Sequence, residues 1–202
     1  MSKQVKWRKI GWAEVTTFLV LAVCTVAAMG DPAIQASSCD GGQEATLRTT
    51  SSASCLCVNR ALDALSNHLD AVKKEFKPGI SINFNVFYQN PDFYLTRLRS
   101  RVNTCGGGQL KFECVGLCHT EQGTLAYVKV IFGHVLPTVN VCDEFFQLGD
   151  STKQDTLTHE MGRLENIGGS PNFDTDNIYV WDAIVQHLCD DATYKRITAE
   201  LR

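Results

Sequence analysis

The chain lacks a C-x-x-C pair, an N-x-[ST] sequon, a surplus of positive charge and an uninterrupted apolar run of membrane-spanning length. Each absence excludes something. Without C-x-x-C, the zinc knuckles built from paired cysteines are excluded, since Cys55-Leu56-Cys57 and Cys114…Cys118 have no matching His/Cys partner knuckle. Without a sequon, N-glycosylation is not expected. The net charge of −3 gives no electrostatic case for binding nucleic acid. The apolar run around Phe18–Val23 is interrupted by Glu14 and falls short of the roughly 20 residues a membrane helix needs. There are no internal repeats and no inter-domain linker, so 202 residues with 44% hydrophobic and 20% charged content predict one globular domain.

What is present at the N-terminus reads as a targeting segment. Lys3, Lys6, Arg8 and Lys9 form a positive n-region, Phe18-Leu19-Val20-Leu21-Ala22-Val23 an apolar h-region, and Ala27-Ala28-Met29-Gly30 a run of small residues suited to cleavage. Residues 1–28 are read as a secretory signal peptide and 29–202 as a single domain; an uncleaved signal anchor is the alternative. The leader carries +3, so a whole-chain charge of −3 leaves −6 on the remainder. The predicted location is therefore secreted and extracellular, with no membrane association after cleavage and a monomeric state. Eight of the nine cysteines lie beyond the leader: Cys39, Cys55, Cys57, Cys105, Cys114, Cys118, Cys142 and Cys189. An even number in an exported chain predicts up to four disulfides, whose pairing the count leaves open.

Periodicity predicts helices, then a β region, then helices. A Ser/Thr/Gly-rich lead-in (37–54) precedes a 3.6-residue stripe of Val58, Ala61, Leu62, Leu65, Leu69, Val72 and Phe76, stopped at Pro78-Gly79. Ile80, Ile82, Phe84 and Val86 alternate as a short strand, and Asn90-Pro91-Asp92 opens a helix reaching Cys105. From 109 to about 142 the period falls to two, divided by turn signals at Glu121-Gln122-Gly123 and Phe132-Gly133-His134. Asp150-Ser151 is placed to cap a helix that ends at Gly168-Gly169. Ile178, Trp181, Ile184, Val185 and Leu188 stripe a last helix through Cys189, followed by a polar tail.

The chemistry concentrates in Asp155-Thr156-Leu157-Thr158-His159-Glu160-Met161-Gly162-Arg163-Leu164. In a helical H-E-x-x-H motif two histidines one turn apart grip Zn²⁺, and the glutamate is general base to the metal-bound water. Here His159 and Glu160 are present, but Arg163 holds the second histidine position. A guanidinium has no lone pair for a metal. A +2/+1 repulsion at around 5 Å in an effective dielectric of about 20 is on the order of 6–7 kcal/mol before screening. Arg163 is also spaced to pair with Glu160. Candidates for a third ligand lie at Asp174 and Asp176, with Tyr179 as a phenol able to steady an oxyanion. The other reading is that these aspartates cap the last helix and Tyr179 packs on it.

Several segments together resemble the fungal deuterolysin-like zinc endopeptidases (aspzincins, of the lysine-specific metallo-endopeptidase type), with this chain as a divergent member. They are Cys39 with Gln43…Leu47; Phe112-Glu113-Cys114…Gly116-Leu117-Cys118; Val135-Leu136-Pro137-Thr138-Val139-Asn140-Val141-Cys142-Asp143-Glu144-Phe145-Phe146; the His159-Glu160 helix; and Asn177-Ile178-Tyr179 leading to Cys189. The resemblance implies an α+β zincin-like domain, mainly helical with a small β-sheet and stapled by disulfides. It also implies a cleft holding one zinc, peptide-bond hydrolysis, and Cys39–Cys114 and Cys118–Cys142 as disulfides. It would make His159 with Asp176 or Asp174 the metal ligands, Glu160 and Tyr179 the catalytic groups, and a peptide or protein the substrate or ligand. The family's second zinc histidine is Arg163 here, and its Gly-Thr-x-x-Asp-x-x-Tyr-Gly segment is either decayed or deleted. The expectation is a metallo-endopeptidase-type protein with impaired or lost activity. Its alternatives are a non-catalytic secreted binding protein or effector on the same fold, and a stapled domain without a functional cleft.

Overall fold

The computed structural model describes residues 32–76, 96, 98–100, 105, 109–118, 124–164 and 175–199. The leader, the predicted strand 80–86, most of the helix expected after Asn90, the turn at 121–123 and the Gly168-Gly169 stop lie outside the described residues. Strand β1 (Ala33–Ser37) is followed by helices α1 (Gly41–Asn67) and α2 (Leu69–Glu75). Strands β2 (Gln109–Cys114), β3 (Ala126–Ile131) and β4 (His134–Val141) come next. Helices α3 (Asp143–Phe146), α4 (Asp150–Leu164), α5 (Thr175–Cys189) and α6 (Asp191–Ala199) complete the described chain. The fold is mixed α and β, with one four-stranded sheet.

The lead-in expected over 37–54 is largely helix. Asp40 caps it: its Oδ1 accepts from the Gln43 N–H at 2.8 Å, and Gln43 Oε1 accepts from the Asp40 N–H at 2.9 Å. Serine and threonine are modest helix formers, yet Thr46, Thr49 and Ser52 donate their hydroxyls back to carbonyls four residues earlier. Ser51 and Ser54 are fully buried, and Ser54 Oγ donates to the Gln154 carbonyl, so small side chains let α1 approach α4 closely. The stripe expected to run unbroken to Phe76 is interrupted at His68, which ends α1 and starts α2.

The sheet runs β1-β2-β4-β3, with β1, β2 and β4 parallel and β3 antiparallel to β4. The β3–β4 turn places Phe132 (φ 49°) and Gly133 (φ 81°) both in the left-handed region, as a two-residue hairpin of this hand requires. Two apolar cores result. One joins Leu110, Phe112, Val128, Val139 and Val141 of the sheet to Leu47, Leu157 and Met161. The other joins Val58, Ala61 and Leu65 of α1 to Trp181, Ile184, Val185 and Leu188 of α5. Helices α1 and α4 lie at the seam, touching the sheet side and α5 together.

All eight cysteines pair: Cys39–Cys114, Cys55–Cys105, Cys57–Cys189 and Cys118–Cys142. The two pairings implied by the resemblance are among them. No described helix is long and apolar enough to cross a membrane.

Candidate functional site

Helix α4 carries His159, Glu160 and Arg163. Its sheet-facing side buries Leu157 and Met161, while Gly162 faces α5. Gly162 sets the distance between the two helices. A Cβ there would lie 2.7 Å from Ile178 Cδ1 and 2.8 and 2.9 Å from Trp181 Cζ3 and Cε3, closer than real atoms pack. That close approach brings Asp182 of α5 against the imidazole of His159.

The contact is short: His159 Nδ1 and Asp182 Oδ2 are 2.5 Å apart. On the other ring nitrogen, Arg163 Nε donates to His159 Nε2 at 2.8 Å. A nitrogen that accepts must present a lone pair, so these partners place a proton on Nδ1. Positions 159 and 163 are one turn apart on the same face, which is why the arginine reaches the ring. The sequence spacing also allowed a pair with Glu160; the structure directs the guanidinium Nε to His159.

Glu160 is buried beside this chain of contacts, 5% exposed. Burial pushes its carboxyl up to about 7, outweighing the electrostatic influence of His159 and Arg163 and a hydrogen bond to the Val128 backbone of β3. Burial likewise raises the Asp182 carboxyl, against its bond to His159. Among the described residues, Glu160 Oε2, Asp182 Oδ1 and Trp181 Nε1 are buried and meet no hydrogen-bond partner. The site is polar, enclosed and incompletely satisfied, a pattern typical of functional positions.

The expected residues divide into two groups. His159 and Glu160 are together, and Asp182, absent from the expected set, joins them. Asp174 lies outside the described residues; Asp176 and Tyr179 fall in the first turns of α5, their side chains outside the description. Asp182 had a readable signal. It is the single acid inside the Ile178/Trp181/Ile184/Val185/Leu188 stripe, four residues after Ile178 and three before Val185. A carboxylate there is buried and needs a partner.

Of the expected zinc ligands, only His159 has a described side chain. The His159 nitrogen facing away from Asp182 accepts from Arg163, a permanent cation beside it. Among the described residues, no group of three or more His, Cys, Asp and Glu side chains is arranged to hold a metal. The chain matches no protein-family model and no curated protein sequence.

Proposed function

We propose that this is a secreted, disulfide-stapled protein on a metallopeptidase-type domain that no longer hydrolyses peptides through zinc and acts by binding a peptide or protein. The observation that supports this reading is the bond from Arg163 Nε to His159 Nε2. It uses the lone pair a zinc would take and fixes a positive charge where a dication would sit. Asp182, His159 and Arg163 then form a charge-balanced chain that ties α4 to α5. Export follows from the leader and fits four disulfides in a chain of this size.

A second reading, a working endopeptidase, draws support from Glu160. A buried carboxyl near 7 suits a general base. Metal analysis of the purified protein separates the two. The proposed reading expects no retained zinc after dialysis and no cleavage of an unfolded protein substrate. Stoichiometric zinc that disappears in His159→Ala would sink it. Zinc binding and proteolysis gained in Arg163→His would support it and identify Arg163 as the lost ligand position.

A further inference from the structure

The Cys57–Cys189 disulfide is built differently from a buried staple. It lines a pocket of about 210 Å³ together with Ser151, Gln154, Asp155, Thr158 and Asp190. Cys189 is partly exposed there, whereas Cys57 is 2% exposed. Gln154 Nε2 donates to Cys57 Sγ at 2.7 Å and to Cys189 Sγ at 3.4 Å. Access alone does not single out this bond, because Cys39 and Cys118 are partly exposed as well. The pocket and an amide donor on both sulfurs occur together here.

We propose that Cys57–Cys189 is a thiol-exchange site, opened by neutral or cationic low-mass thiols in preference to anionic ones. The incoming thiolate attacks the accessible Cys189 Sγ. A new S–S bond forms as the Cys57–Cys189 bond breaks, and its electron pair leaves on Cys57 Sγ, where the Gln154 amide donates to the developing charge. A second thiolate then displaces Cys189 from the mixed disulfide and releases the oxidised thiol dimer. Two thiols are oxidised and one protein disulfide is reduced. Selectivity comes from the pocket wall. Asp190 is held below the usual carboxylate range by its bonds to Thr193, and Asp155, raised by burial, adds a second carboxyl, while Arg60, which donates to the Cys189 carbonyl at 2.6 Å, is paired with Asp191 at 2.8 Å. Carboxylates repel an anionic thiol and attract an ammonium. Opening removes the covalent tie between α1 and the end of α5, seven residues beyond Asp182, the carboxylate that orients His159.

The test uses the full secreted chain, with cysteamine and glutathione compared at equal thiolate concentration in low salt. Each rate is divided by that thiol's rate on a neutral small disulfide. Products are quenched in acid, alkylated and mapped by peptide mass spectrometry. Expected are alkylation of Cys57 and Cys189 before any other pair, a cysteamine adduct on Cys189, and a normalised advantage for cysteamine of roughly threefold or more. The double variant Asp155→Asn/Asp190→Asn should bring that ratio close to one. Another disulfide opening first, all four opening together, an adduct on Cys57, or equal normalised rates in the unsubstituted protein would each overturn the proposal.

Discussion

Two clusters in this protein each combine a carboxylate, an imidazole and a guanidinium, and arrange them in opposite ways. In the buried cluster His159 is the middle member, between Asp182 on Nδ1 and Arg163 on Nε2. In the second, near the C-terminus, the carboxylate is the middle member. Glu75 Oε1 faces His187 Nε2 at 3.1 Å and accepts from Arg196 Nη2 at 2.6 Å, and Oε2 accepts from Arg196 Nε. Arg196 is about half exposed there, and both Glu75 oxygens are used. The carboxylates respond in opposite directions: Arg196 holds Glu75 below its ordinary range, while burial raises Glu160 and Asp182. Residue type does not separate a functional candidate from a surface ion pair. Burial and unmet hydrogen-bonding capacity do.

The largest expected effect comes from breaking the buried chain at its carboxylate. Asp182→Ala removes the Asp182 acceptor from the His159 Nδ1–H and one of the acidic groups close to Arg163. Stranding a buried donor costs about 1–3 kcal/mol, and more where the partner is charged. Urea unfolding at neutral pH should show that loss with an unchanged m-value. A loss below about 1 kcal/mol would mean the cluster is as weakly coupled as the surface one.

Glu160 should produce the next largest effect, readable as pH dependence. Its folded-state pKa of about 7 lies above the ordinary 4.5, so the folded protein holds a proton that the unfolded chain releases. The associated stability is fully present below about pH 4.5 and is lost as pH rises through about 7. The difference corresponds to about 3 kcal/mol. Asp182, also raised by burial, adds a slope of the same sign. Glu160→Gln should flatten the stability curve between pH 5 and 7.5, and an unchanged slope would rule out Glu160 as its source.

How much of this was legible depends on whether a feature is local. The alternating strands at 109–114, 126–131 and 134–141 and the apolar face of α5 follow from periodicity within one segment, and they form as expected. The helix over 41–57 was hidden because its Ser/Thr content argues for a loop. What stabilises it is a capping box and close packing on α4, and the packing is non-local. His159 and Glu160 were legible as a motif, and Arg163 as the departure from it. Asp182 was not, because its role depends on how closely α5 approaches α4. That distance is set by Gly162, a residue that costs helix stability and contributes no side chain.

Gly162 therefore gives a third, smaller effect. Gly162→Ala improves helix propensity by roughly 1 kcal/mol, yet its Cβ must displace Ile178 and Trp181. Overpacking of this kind costs about 1–3 kcal/mol, so the net change should be a modest destabilisation. The more telling readout is His159. With α5 pushed away, its Nδ1 proton moves off Asp182, which should shift the imidazole signals in an NMR spectrum at fixed pH. An imidazole spectrum unchanged by Gly162→Ala would show that the helix spacing does not control the contact.

The smallest effect belongs to the surface cluster, and its sign makes it useful. Glu75 is lowered, so its stabilising contribution is present above about pH 4.5 and is lost as pH falls through the folded-state value, opposite to Glu160. Arg196→Ala removes the main cause of that lowering. Because the arginine is exposed and screened, the change should be the smallest of these at neutral pH and shrink further in high salt. Glu75→Gln should weaken the acid-side fall in stability without affecting the slope between pH 5 and 7.5, and Glu160→Gln should do the reverse. If each variant alters only its own limb of the curve, the two clusters titrate independently. If Glu75→Gln also changes the neutral slope, α5 couples them, since it carries both His187 and Asp182 and would transmit strain from one end to the other.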